Sequence, residues 1–353
     1  MLSRVADAIY WASRYVERAE NVARFIDVSL NLMLESSAHG ERDWESLVHT
    51  TGDQEFFDKK YGKATPENVT QFLTFDDEYS SSILTSVSRA RENARSVRDI
   101  ISREMWQELN EFYLMVLQAA RPGSQPEDLI DFCAKVKRAG IYFEGVTNAT
   151  LSRGEAFHFA HLGRMLERAD KTSRILDVKF FLLTPTPAQP QPQPSTPAQS
   201  QSQSAAAAPK PTPTPPGSPA PTQSQSQSQN GSAVDHVGWS TLLNSASALQ
   251  MYRQIWHVTS PEAVSAFLLL DRNFPRSILR CVRRAQESLH SISGAPLGSF
   301  ESEGERLLGR LRSELDYAKM DEIMEQGLHQ YIDALQGQLN EAGAAIQSQF
   351  FEF

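Results

Sequence analysis

Glutamate and arginine at three- and four-residue spacing are the first side chains in this sequence that could do chemistry. Glu17, Glu20, Arg24 and Asp27 fall on one stripe of a helix, and Glu167, Asp170, Arg174 and Asp177 fall on a second stripe like it. Arg14 with Arg18, and Arg164 with Arg168, flank the two stripes. Side chains four apart can form ordinary ion pairs worth about 0.2–0.5 kcal/mol each. Such pairs account for the charge but not for the recurrence of the same residue types, because a solvated face accepts Lys in place of Arg. A guanidinium fork matches carboxylate or phosphate oxygens two at a time. The stripes are therefore expected to be either a network that ties helices together or a pocket for an anionic or zwitterionic ligand.

A second charged set is Arg89, Glu92, Arg95 and Arg98, matched later by Arg284 and Glu287 but with His290 and Ser293 in place of the last two arginines. Partial retention suggests that one half keeps a binding role while the other keeps the packing. The spacings Glu155-x-x-His158 and Glu287-x-x-His290 are those of di-iron helical bundles. Their counterparts, Val5 with Ala8 and Glu92 with Arg95, supply no symmetric second set of ligands, so no metal is expected. No GxSxG turn, glycine-rich phosphate loop or Cys/His nucleophile pattern occurs, and no catalytic residue is identified. Trp11, Trp44, Trp106 and Trp239 are expected in the core.

What must position these groups is a repeated unit. ERAENVARFIDV, Glu17 to Val28, returns as ERADKTSRILDV, Glu167 to Val178, 150 positions on. The correspondence continues at 195 positions, pairing TPENVTQFL from Thr65 with SPEAVSAFL from Ser260 and SILTSVSRARE from Ser82 with SILRCVRRAQE from Ser277. Internal duplication is the simplest cause. The change of offset is taken up by a Pro/Gln/Ser/Ala-rich tract from Pro187 to Ser232. Lacking apolar bulk and charge, it is expected to be a disordered loop of polyproline II bias inserted into the second repeat. The repeats are then 1–150 and 151–353.

Apolar residues at Val5, Ile9, Ala12, Val16, Ala19, Ala23, Ile26, Leu30 and Met33 alternate by threes and fours, which predicts a long amphipathic helix with a narrow seam and Ser3 as its N-cap. Phe159, Leu162, Leu166, Ala169, Ser173, Leu176, Phe180 and Leu183 do the same in the second copy. Ala19 and Ala169, beside the Glu-Arg pairs, would let a neighbouring backbone approach closely. Thr65-Pro66-Glu67 and Ser260-Pro261-Glu262 read as helix starts. One long helix is predicted from Ile83 through Ile101 and Phe112 to a stop at Arg121-Pro122-Gly123, and Pro126-Glu127-Asp128 starts another carrying Leu129, Phe132, Val136, Gly140 and Phe143. Later counterparts are Ile278 to Ile292, and a last helix through Ile323, Gly327, Leu335, Leu339 and Ile346. No sustained two-residue alternation occurs, so the class is all-α, a long-helix bundle with pseudo-twofold symmetry.

The 353 residues, 40% hydrophobic, suffice for one large core or two ordinary ones. A net charge of −9 weighs against a general nucleic-acid binder. Only nine of the 34 basic residues are Lys, a bias toward geometric pairing. Cys133 and Cys281 lack CxxC spacing and are expected to be reduced thiols of a cytoplasmic protein. The apolar runs are too short to span a membrane, and Met1 leads straight into helix-patterned sequence, which leaves no expectation of a signal peptide.

The stretches YWASRYVERAENVARFIDV from Tyr10, RARENARSVRDIISREMWQELN from Arg89, LGRMLERADKTSRILDVKF from Leu162 and SILRCVRRAQESL from Ser277 resemble the Alpha-E family, a bacterial all-helical family known for a Glu-Arg motif. That motif falls on Glu17-Arg18 and Glu167-Arg168, and the resemblance covers all but the low-complexity tract. It implies a cytoplasmic helical protein encoded beside a circularly permuted ATP-grasp protein, often with a transglutaminase-like protein and a proteasome-like peptidase. That company implies a peptide or amide-bond-forming system, in which ATP and magnesium would act through the partner and this chain would carry no cofactor of its own. The expected role is an accessory subunit that docks the ATP-grasp partner and holds an acidic peptide or amino acid through its Arg and Glu stripes. An enzyme using Glu17 or Glu167 as general base, and a scaffold without ligand, are the alternatives.

Overall fold

A computed structural model describes residues 1–35, 40–123, 128–183 and 238–352. The described residues are helical apart from turns and one isolated bridge between Leu297 and Ser299. The first half holds α1 (Ser3–Glu35), α2 (Gly40–Thr51), α3 (Gln54–Tyr61), α4 (Pro66–Thr74), α5 (Ile83–Ser96), α6 (Arg103–Ala119) and α7 (Leu129–Thr150). The second holds α8 (Glu155–Leu183), α9 (238–245), α10 (Leu249–Ile255), α11 (Pro261–Leu270), α12 (Ile278–Ser293), α13 (Glu303–Tyr317), α14 (Met320–Gln326) and α15 (Leu328–Phe350).

α1 and α8 pack on each other as the central pair. α5 and α7 lie on α1 with α6 between them, while α12 and α15 lie on α8 with α13 between them. Enclosure of this kind overturns the narrow seam expected of α1: every residue from Ala19 to Ile26 is buried, and so is every residue from Phe159 to Asp170 of α8. The apolar stripe still faces inward, but the charged stripe is covered as well, so its charges must be paired within the protein. Close approach of the two helices is visible at Gly163, where a β-carbon would lie 2.5 Å from the Tyr10 carbonyl oxygen.

The predicted caps at Thr65 and Ser260 accept from the amides of Asn68 and Ala263, and Asp128 accepts from Ile130 and Asp131. Ser3 is the first helical residue rather than a cap, since Leu2 supplies the carbonyl that accepts from Val5 and Ala6. The long helix expected from Ile83 to Phe112 is two, divided at Val97 to Ser102, where the Ser102 hydroxyl caps α6. Val97, Ile101, Met105 and Leu109 stay buried across the break, so the apolar period hid it. The last predicted helix is likewise divided, at Gly327 with φ of 103°. α13 was not anticipated, although the Ser302/Glu305 capping box that starts it is a sequence signature. Pro126, Glu127 and the tract from Pro187 to Ser232 lie outside the described residues, as do the side chains of Met33, Phe180 and Leu183.

Candidate functional site at the Glu-Arg pairs

Where α1 meets α8 the two Glu-Arg pairs exchange partners. Arg168 donates to Glu17 through Nε at 2.9 Å and Nη2 at 2.7 Å. Arg18 donates to Glu167 through Nε at 2.7 Å and Nη2 at 3.1 Å. Each is a two-point fork between residues some 150 positions apart, and neither is the within-helix pair that the spacing alone allows.

The surroundings of the two forks differ. Glu17 also accepts from Arg276 Nη1 at 3.0 Å and from Asn21 Nδ2 at 2.8 Å. Arg276 Nη2 reaches Glu20, which accepts from Arg24 at 2.7 Å, and Arg24 Nη1 in turn donates to the Ser245 carbonyl and the Ser247 hydroxyl. Arg168 Nη2 continues to Glu144 of α7 at 2.8 Å. Burial opposes the charge on Glu17, but Arg168 and Arg276 outweigh it and hold the carboxyl far below its ordinary range. Arg24 is pushed down by burial and by the neighbouring Arg276. We call this the deep side.

On the other side, Glu167 accepts from Arg14 Nε at 2.9 Å as well as from Arg18, with Lys171 at 3.7 Å. Asp170 is met by Lys171 at 3.0 Å and by Arg174 Nε at 3.1 Å. Burial would raise the Glu167 carboxyl, but Arg18, Arg14 and Lys171 keep it well below its ordinary value. Here the arginines keep contact with solvent: Arg14 and Arg18 are 18% and 14% exposed against 5% for Arg168. They are stacked on α1's own aromatics, with Arg14 4.9 Å from the Trp11 ring and Arg18 5.3 Å from the Tyr15 ring. This is the open side, where four cations surround two carboxylates.

A family model named Alpha-E, described as a predicted alpha-helical domain with a conserved ER motif, matches residues 1–351. The chain belongs to the Alpha-E family. No curated protein and no solved structure matches it. In this Alpha-E chain Glu17-Arg18 and Glu167-Arg168 form the pair of forks that joins the two central helices.

Of the other residues singled out from the sequence, Arg164 is buried in the deep side, where its one ion pair among the described residues is with Glu144 at 3.4 Å and its Nε has no hydrogen-bond partner among them. Burial pushes its guanidinium down. Arg89, Glu92 and Arg95 are exposed on α5 and do not join the forks; Arg89 and Glu92 instead line a groove of about 460 Å³ with Asp7, Trp11 and Tyr15. Arg284 and Glu287 pair with each other at 2.6 Å on α12, and His290, the counterpart of Arg95, is buried with Nδ1 at 3.0 Å from the Ala295 carbonyl. Among the described residues no group of three or more His, Cys, Asp and Glu side chains is placed to hold a metal. Glu155 is exposed at the start of α8 and does not share a site with Glu287. Cys133 and Cys281 are buried free thiols, each pushed up to about 12, chiefly by burial. Trp44 and Trp239 are core residues, whereas Trp11 and Trp106 are half-buried and carry guanidinium groups on their rings. No helix among the described residues is long and apolar enough to cross a membrane.

Sequence reasoning missed Arg276, Glu144 and Asn21. Arg276 immediately precedes the Ser277 cap of α12 and stands where the first half has Ser81, so a search for matched positions passes over it. Asn21 was legible in principle, being four residues after Glu17 on the same helix.

Proposed function

We propose that this Alpha-E protein is a non-catalytic accessory subunit of an ATP-grasp-linked, peptide or amide-bond-forming system. Its repeats, 1–150 and 151–353, form one domain that docks a circularly permuted ATP-grasp protein and presents the open side to an acidic peptide or amino-acid substrate. A transglutaminase-like protein is a further partner on this reading, ATP and magnesium enter with the ATP-grasp protein, and the compartment is the cytoplasm. The partner class comes from the resemblance set out above.

One observation carries the non-catalytic part. Glu17 and Glu167, the carboxylates that a catalytic reading would use as bases, are each buried and held by at least two cations. A general base works best with a pKa near the operating pH, and both carboxyls are displaced in the opposite direction. The partial exposure of the Arg14 and Arg18 side chains supports ligand or partner contact on the open side. Co-migration of the purified chain with its cognate ATP-grasp protein at micromolar concentration, with ATP and magnesium present, is the test. Separate migration removes the accessory role, and turnover by this chain alone that is lost in Glu167→Gln with folding intact restores the catalytic one.

A further inference from the structure

A pocket of about 270 Å³ lies beside the open side, where α15 packs across α8 and touches α1. Trp11, Leu166 and Leu339 give it apolar surface, Arg14 and Asp170 put opposite charges on it, and Asn340 and Gln347 add two amides from the exposed side of α15. Gly343 and Ala344 contribute almost no bulk, and a β-carbon at Gly343 would lie 3.9 Å from Arg14 Nη1, which places that guanidinium against this part of α15. Arg14 spends Nε on Glu167 and Nη1 on the Tyr10 hydroxyl, so Nη2 has no hydrogen-bond partner among the described residues.

Charge and size narrow the ligand. The lining itself carries one cation, Arg14, and one anion, Asp170, while Arg18, Lys171 and Arg174 stand outside the lining around Glu167 and Asp170, so the wider neighbourhood carries surplus positive charge and favours an anion. The volume falls just under the roughly 300–1,000 Å³ of ordinary small-molecule sites, which suits one amino-acid unit and not a nucleotide. We infer that this pocket binds the free carboxylate of a single amino-acid unit, either a free acidic amino acid or the C-terminal residue of a peptide. The carboxylate meets Arg14, the amides of Asn340 and Gln347 take the polar remainder, and an ammonium group, where present, lies toward Asp170. The inference deepens the ligand part of the function proposed above and stands apart from its partner.

Isothermal titration of the full chain alone with L-glutamate, L-alanyl-L-glutamate and the α-amide of each tests it. At least one acid is expected to bind saturably, and about tenfold more tightly than its own α-amide, as loss of one charge-assisted contact implies. Gly343→Leu fills the pocket without removing a charge; it is expected to keep the melting temperature and abolish binding. Should that variant melt early, Ala344→Phe from the exposed rim replaces it. Glutamate binding assigns the pocket to free amino acids, and binding of the dipeptide alone assigns it to peptide ends. No saturable heat from either acid at millimolar concentration, equal binding of acid and amide, or binding unchanged in the filled-pocket variant overturns the inference. Failure of the ATP-grasp protein to co-migrate leaves these results untouched, so the two readings fail separately.

Discussion

Glu17 and Glu167 are each gripped by the arginine of the opposite helix, yet Glu17 is enclosed by Arg168, Arg276 and Asn21, whereas Glu167 is held by Arg14 and Arg18, which still touch water. Matching sequence has produced unmatched surroundings. The difference arises from residues outside the motif: Arg276 ahead of α12 and Glu144 on α7 close the deep side. Buried ion pairs are in themselves weak evidence of stability, since desolvation offsets most of their attraction.

The comparison can be broken most directly on the deep side. Glu17→Gln removes the carboxylate that Arg168 and Arg276 share, leaving each in the interior with one carboxylate, Glu144 and Glu20 respectively, and chemical denaturation is expected to show a loss of about 3–5 kcal/mol. A loss under about 1 kcal/mol would mean that the deep fork is not structural. Glu167→Gln is expected to cost less, about 1–3 kcal/mol, because Arg14 and Arg18 can turn to solvent; equal losses at the two glutamates would erase the distinction between the sides. Arg18→Lys keeps the charge but not the fork and should cost about 1 kcal/mol in the same assay.

Acid sharpens the comparison without mutation. The carboxyls of Glu17, Glu144, Glu167 and Asp170 all lie below their ordinary values in the folded protein, so the stability they contribute is whole above pH of about 4.5 and is lost as pH falls below it. His161 moves in the same sense from a higher start. Burial first, and then Arg164, Arg284 and Arg168, push it down from 6.5 to about 3, so below pH 6.5 the unfolded chain takes up a proton that the folded imidazole does not, and stability falls. Melting temperature should therefore decline between pH 7 and 5, and His161→Gln, which retains a partner for Ser288, should flatten that decline. An unchanged slope would remove His161 from the account. At the small end, Arg95→Ala on exposed α5 should stay within about 0.5 kcal/mol of wild type, as its salt bridge to Glu92 is a surface one.

Much of this was legible in the chain. Thr65-Pro66, Ser260-Pro261 and Asp128 announced helix starts because capping is a contact among neighbours three residues apart at most. The Glu-Arg pairs stood out because they recur, and Ala19 and Ala169 are buried beside them, whereas the tight approach of the two helices falls at Gly163 against Tyr10. The breaks at Ser102 and Gly327 were not, since the apolar stripe runs on across both. The within-helix partner expected for Arg24, Glu20, was correct but incomplete: Ser245 and Ser247, more than 220 residues away, share the same guanidinium.

By itself the sequence determined the helical class, the apolar stripes and the residues that carry the charge, because a 3.6-residue period is a local property that any stretch of chain displays. Only the tertiary structure decided which carboxylate each guanidinium meets, and which of the two forks is sealed. Those choices depend on two helices 150 residues apart crossing at one point, and on Arg276 and Glu144 arriving there from elements that carry no trace of the motif.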